Sequence, residues 1–150
     1  MSPLTVTGIL LGIVALATAL GLFWRSQTGR VRGIANDETV IEVSELAPDA
    51  VAGSGATLLQ FSTEVCAPCK ATHTLLDSLA RQSSGVSHVD VDVTRRADIA
   101  SRFNLLRSPT TLILDADGVV RARIGGAPRR AEVAAELERI LRHSAVTSTA

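Results

Sequence analysis

Residues Leu4 to Trp24 (LTVTGILLGIVALATALGLFW) run for 21 positions without a charged side chain. A helix of that length spans about 31 Å, the hydrocarbon thickness of a bilayer. Phe23 and Trp24 close the run, where aromatic rings favour the headgroup level. A cleaved signal peptide would show a basic leader, a shorter apolar stretch and a small-residue cleavage site after it. No Lys or Arg precedes this run, and Ala15-Leu16-Ala17 and Ala17-Thr18-Ala19 fall inside it. The pattern predicts an uncleaved transmembrane anchor over residues 1–24. Arg25, Arg30 and Arg32 follow it, and by the positive-inside rule they bias the C-terminal side towards the cytoplasm. Three arginines leave the extracytoplasmic side open as the alternative.

Past the anchor, the pattern becomes that of a folded α/β domain. Residues 25–37 (RSQTGRVRGIAND) have no apolar periodicity and read as a flexible tether. Residues 38–143 alternate between strand and helix periods. Thr39 to Val43 is a short β-branched run, read as an edge strand, and Ser44 caps a brief helical turn through Leu46. Ala56 to Phe61 is a continuous apolar run of the buried-strand type. A helix starts near Cys66, with Cys69, Thr72, Leu75, Leu76, Leu79 and Ala80 on one side. His88 to Val93 alternates, with Val89, Val91 and Val93 on one face and His88, Asp90 and Asp92 on the other. A short helix over Arg96 to Phe103 precedes a strand at Thr110 to Leu114. Asp117-Gly118 signals a hairpin into Val119 to Ile124. The last helix covers Arg129 to His143, and residues 144–150 (SAVTSTA) read as a disordered tail. Strand–helix–strand units imply parallel pairing and the hairpin adds antiparallel strands, so an α/β sheet with helices on both faces follows.

Composition changes this picture little. Fifteen basic and fifteen acidic residues give zero net charge, which argues against a nucleic-acid partner. Two cysteines exclude a disulfide-stapled miniprotein and a four-cysteine zinc site within one chain.

Those cysteines carry the chemistry. Cys66-Ala67-Pro68-Cys69 lies where the apolar strand ends and a helix begins. A thiolate is the nucleophile in disulfide exchange, and free N–H groups at a helix N-terminus stabilise it. Pro68 fits the first helical turn, where its missing N–H costs nothing. Cys69 belongs to the core-facing stripe and Cys66 to the exposed end, so Cys66 is expected to attack and Cys69 to resolve.

The stretch LLQFSTEVCAPCKA resembles the strand, active-site loop and helix start of thioredoxin. Ser108-Pro109-Thr110-Thr111 matches the family's proline loop, and Asp117-Gly118 and Gly125-Gly126 match its hairpin and glycine region. The resemblance covers about Ala56 to His143. It implies a thioredoxin-like fold, a mixed central sheet with helices on both faces, behind one transmembrane helix. It implies a thiol–disulfide oxidoreductase of the kind tethered to bacterial membranes, acting on protein disulfides as a reductant. Cys66 and Cys69 are then the catalytic pair, and the redox-active disulfide stands in place of any cofactor or metal. Ala67, Pro68, Ser108, Pro109 and Thr110 would meet the substrate, with Ser108 offering backbone groups to an extended segment. Electrons would come from a thioredoxin reductase in the cytoplasm, or from a membrane electron carrier outside.

The sequence departs from the family in three places. Gln60 replaces a buried aspartate, Asp90 replaces the partner lysine on the next strand, and Val65 replaces the tryptophan before the first cysteine. Gln60 cannot accept the Cys69 proton, so Asp90 or Glu64 is expected to assist through a water. Lys70, the sole lysine, reads as a solvated helix residue and excludes c-type haem attachment, which needs His there. His73 gives C-x2-C-x3-H, so a metal carrier using Cys66, Cys69 and His73 is the alternative function, although no fourth ligand is evident. A non-catalytic adaptor is a third reading, opposed by retention of both cysteines and Pro109. His88 and His143 read as surface residues.

Overall fold

The computed structural model describes residues 3–27, 29–33 and 39–147. Helix α1 (Pro3–Gln27) is followed by strand β1 (Val31–Gly33), a helical turn α2 (Val43–Leu46) and strand β2 (Ala56–Ser62). Then come α3 (Ala67–Gln82), β3 (Val86–Asp92), α4 (Ala97–Arg102), β4 (Thr110–Asp115), β5 (Val120–Gly125) and α5 (Arg130–Thr147). The sheet order is β1-β5-β4-β2-β3. β2 pairs parallel with β3, while β2–β4, β4–β5 and β5–β1 are antiparallel. The mixed α/β sheet is therefore as expected, with one refinement. The connection through α4 returns β4 antiparallel to β2, where a strand–helix–strand unit suggested parallel.

β2 is buried along Ala56–Phe61 on both faces, which is why it reads as an unbroken apolar run. Its Leu59 and Phe61 pack with Val89, Val91, Leu112 and Phe103 on one face of the sheet. Leu58 and Ala56 pack on the other face, with Leu76 and Leu79 of α3 and Val133 and Leu137 of α5. Arg130 fastens α5 to α3, donating to Ser78 Oγ at 2.8 Å and Gln82 Oε1 at 2.7 Å. At the β4–β5 hairpin, Asp115 Oδ1 accepts the N–H groups of Asp117 and Val119, both at 3.0 Å, and Gly118 takes φ +78°. That left-handed conformation is open to glycine and strained elsewhere, so Asp117-Gly118 read correctly as a turn.

Three expectations need correction. The stretch read as a tether contains β1, whose Val31 lies opposite Ile124 and donates its N–H to Glu132 Oε2 at 3.2 Å. An edge strand needs only a partner's backbone groups, so it left no apolar pattern to read. Residues 28 and 34–37 of that stretch lie outside the described residues. Thr39 to Val43 makes only a single bridge, Val40 to Val119, and Val43 already opens α2. Its cap position is Glu42, and Ser44 Oγ donates to Glu42 Oε1 instead of capping. Ile41, Val43 and Leu46 are buried there, so these apolar residues plug the sheet instead of extending it. Finally, α5 continues to Thr147, with Ser144 Oγ donating to Ile140 O, so part of the expected tail is helical. Residues 148–150 lie outside the described residues.

Candidate active site at the start of α3

Cys66 is the N-cap of α3, with extended backbone at φ −141° and ψ 91°. Its Sγ accepts the Cys69 N–H at 3.2 Å. This contact places one of the helix's orphan donors on the first sulfur, where negative charge would develop. The two cysteines form a disulfide with their Cα atoms 5.2 Å apart. Cys69 is buried, only 4% exposed, while Cys66 is half-exposed. The expected asymmetry of the pair is thus present in the geometry. Ala67 and Pro68 are exposed beside it, and Val65 is 98% exposed.

The loop ahead of the motif is braced from β3. Asp92 Oδ1 accepts from Thr94 N at 2.8 Å and Thr94 Oγ1 at 2.6 Å, and Thr94 Oγ1 accepts the Glu64 N–H at 2.9 Å. These bonds from Thr94 hold the Asp92 carboxyl below its usual pKa. Glu64 itself is exposed on that loop.

The proline loop reaches the same end of the sheet. Phe61 lies opposite Thr110 in the β2–β4 ladder, so Pro109 sits beside the end of β2 from which the Cys66 loop departs. The Ser108–Pro109 peptide is cis, as the resemblance implies. Pro109 O accepts the Gly126 N–H at 2.7 Å, and Thr110 Oγ1 donates to Arg107 O at 2.7 Å. Pro109 and Thr110 are buried, Ser108 is exposed, and Leu106 two residues earlier is 83% exposed. Arg123 of β5 secures the approach to this loop, donating to Phe103 O at 2.8 Å and Asn104 O at 2.7 Å. Burial lowers the Arg123 pKa from its ordinary value.

Beneath Cys69 lies a polar layer. Gln60 is fully buried and donates from Nε2 to Cys69 O at 3.0 Å. Its Oε1 lies 3.2 Å from His88 Nε2. The His88 ring meets the His73 ring edge-on, with centroids 4.8 Å apart. His73 Nδ1 in turn lies 3.3 Å from Asp90 Oδ2. The His88 pKa is pushed down, first by burial and then by His73, against the opposing pull of Asp90 and Asp77. Asp90 thus reaches the layer through His73, whereas His88, read from the sequence as a surface residue, touches Gln60 directly. The signal available was the parallel pairing itself. A strand beside a buried parallel neighbour is covered on both faces, so the His88/Asp90 face had to meet α3. Among the described residues no three His, Cys, Asp or Glu side chains converge to hold a metal ion, and His73 is turned to Asp90.

The Thioredoxin family profile matches residues 40–139. The chain belongs to the thioredoxin family. It is 38% identical over 73 residues to thioredoxin C-2 of Corynebacterium nephridii, covering 48% of this chain and 68% of that one. It is 29% identical over 109 residues to a thioredoxin of Mycolicibacterium smegmatis, covering 69% and 96%. The solved thioredoxin of Trypanosoma brucei brucei superposes with a TM-score of 0.54 at 22% identity, over 74% of this chain and 98% of that one, and shares the fold. A thioredoxin domain whose two cysteines stand at disulfide distance is a thiol–disulfide oxidoreductase. Thioredoxins use their own redox-active disulfide and no further cofactor, and they act on protein disulfides with reductase partners. Ahead of the domain, and among the described residues, one helix is long and apolar enough to cross a membrane, and its Val6–Phe23 window has no buried residue.

Proposed function

We propose that the protein is a membrane-anchored protein-disulfide reductase in which Cys66 attacks and Cys69 resolves. The observation that carries this reading is the inequality of the two sulfurs. Cys66 is half-exposed at the N-cap and its Sγ receives the Cys69 N–H, whereas Cys69 is buried. The Cys66 thiolate attacks a substrate disulfide, forming a Cys66–substrate bond and releasing one substrate thiolate. Cys69, once deprotonated, attacks Cys66 Sγ and closes the Cys66–Cys69 disulfide. The second substrate sulfur leaves with the electron pair and takes up a proton. Ala67, Pro68, Ser108, Pro109 and Thr110 form the substrate surface, and Ser108 pairs its backbone with an extended substrate segment. The Ala67-Pro68 pair is close to thioredoxin's Gly-Pro, which favours the reducing direction. The arginines after the anchor favour the cytoplasmic face and a thioredoxin reductase as donor. On the other face the donor is a membrane electron carrier.

The test is insulin-disulfide reduction by the full-length protein in detergent micelles, with Cys66→Ser and Cys69→Ser variants. Turnover should fall to background in both. Cys69→Ser should accumulate a mixed disulfide that Cys66→Ser cannot form. Trapping by Cys66→Ser instead would reverse the assignment, and stoichiometric copper or zinc binding without turnover would favour the metal carrier.

A further inference from the structure

The reduction cycle requires Cys69 to ionise while buried, next to a residue that cannot take its proton. A thiolate in such a site is costly without a compensating charge. Two side chains in the layer below can become cationic, His88 and His73. Of these, His88 is the one hydrogen-bonded to Gln60, which holds the Cys69 backbone. Because Gln60 Nε2 donates to Cys69 O, its Oε1 is the acceptor for a proton on His88 Nε2. That bond survives whether His88 is neutral or protonated, since both forms can carry a proton on Nε2. Protonation at Nδ1 therefore adds positive charge without breaking the link to Cys69.

We propose that His88 is a positioning residue for the resolving step, linked through Gln60 to the Cys69 carbonyl so that it gains a proton as the Cys69 thiol loses one. This rests on the reading of Cys69 as the resolving thiol. At rest, burial and the neighbouring His73 lower the His88 pKa, favouring its neutral form, while Asp90 and Asp77 pull the other way. A thiolate at Cys69 adds a negative charge that favours the protonated form of His88, and by linkage each ionised group favours the other. The step balances. Cys69 gives up a proton, and His88 takes one from solvent. The thiolate then forms the bond to Cys66 Sγ, and the substrate sulfur leaves with the electron pair. His88 afterwards returns its proton to solvent, and the departing thiolate takes one up. Asp90 enters through His73 and strengthens His88's hold on the proton. The buried hydroxyl of Thr111, opposite Gln60 in the β2–β4 ladder, belongs to the same polar layer.

This pairing has a kinetic signature. The state with Cys69 ionised and His88 protonated carries the same number of protons as the resting state. Its population is then independent of pH between the two pKa values, and so is the rate that draws on it. Without a titratable group at position 88, the rate must instead track the simple thiolate fraction, rising about tenfold per pH unit up to the Cys69 pKa.

Reduced full-length protein in micelles, mixed rapidly with Ellman's reagent, separates the two steps. Cys66 releases the first thionitrobenzoate, and Cys69 releases the second. In the wild type, the second phase should be nearly flat with pH above the His88 pKa. In His88→Gln, which keeps a donor towards Gln60, it should rise about tenfold per unit and meet the wild type only at high pH. Merely structural damage would lower the second phase equally at every pH, and that result would overturn the proposal. A unit slope in the wild type would overturn it too, without recourse to any variant. Failure of the underlying reading looks different: Cys69→Ser would then still release two equivalents, or Cys66→Ser would keep the fast first phase.

Discussion

Gln60 shows how a single position redirects the chemistry around it. A carboxylate there would be both hydrogen-bond acceptor and base, whereas the amide spends its donor on Cys69 and offers its acceptor to His88. The substitution was legible in the sequence, but its consequence was not, because His88 stands 28 positions away and meets Gln60 only through the parallel register of β2 and β3. The burial of His88 also predicts how stability depends on pH. Its folded pKa lies below the ordinary 6.5, so the folded state binds its proton less readily than the unfolded chain does. The stability it contributes is present above 6.5 and is lost as pH falls through the lower folded value. Thermal denaturation of oxidised protein should show Tm falling across that acidic window. His88→Gln should flatten the fall, and an unchanged slope would mean that His88 is equally free in both states.

Elements were legible where burial imposes a period. β2, α3 and the β4–β5 hairpin stand close to where their patterns put them, because each has a face covered by core and the Asp117-Gly118 turn has its own chemistry. β1 and the Thr39–Val43 run were misread because neither is specified by period: one borrows the edge of β5, and the other makes a single bridge before the expected helical turn α2. Arg123 was passed over for a similar reason. On the β5 pattern it is an outward polar residue, yet it reaches the carbonyls of Phe103 and Asn104, after the end of α4. Asn104 takes φ +47°, a left-handed conformation that asparagine enters more readily than most non-glycine residues. The segment Leu105–Ser108 continues from this anchored point into Pro109. Arg123→Ala should therefore cost about 1.5–3 kcal/mol for the charged hydrogen bonds lost. It should also raise KM for insulin more than it lowers kcat, since it loosens the proposed substrate loop and leaves the cysteines in place. A fall confined to kcat would detach Arg123 from the substrate surface.

At the scale of the whole molecule, the cysteine motif and the proline loop were readable because both lie on the strand ends that the sheet gathers, and the apolar helix α1 was readable from length alone. α1 exposes Leu10, Leu11, Leu16 and Leu22 to more than half of their full extent. A soluble protein rarely leaves so long an apolar surface open, and none of its side chains in the Val6–Phe23 window is buried by the domain. A bilayer would supply the missing cover, and a cleaved leader would remove the same surface by another route. The two outcomes separate on cell membranes. With an anchor, the protein should stay in the pellet after alkaline extraction and retain its N-terminal residues by mass spectrometry. Arginine at Leu11 or Leu16, near the helix centre, adds about 2.5–3.5 kcal/mol to insertion. The double variant Leu11→Arg/Leu16→Arg should therefore move to the soluble fraction with its cysteine pair still reactive towards Ellman's reagent. A protein that lacks residues 1–24 and is soluble without any substitution would make α1 a leader. The oxidoreductase would then work untethered, and the arginines after the helix would say nothing about its side of the membrane.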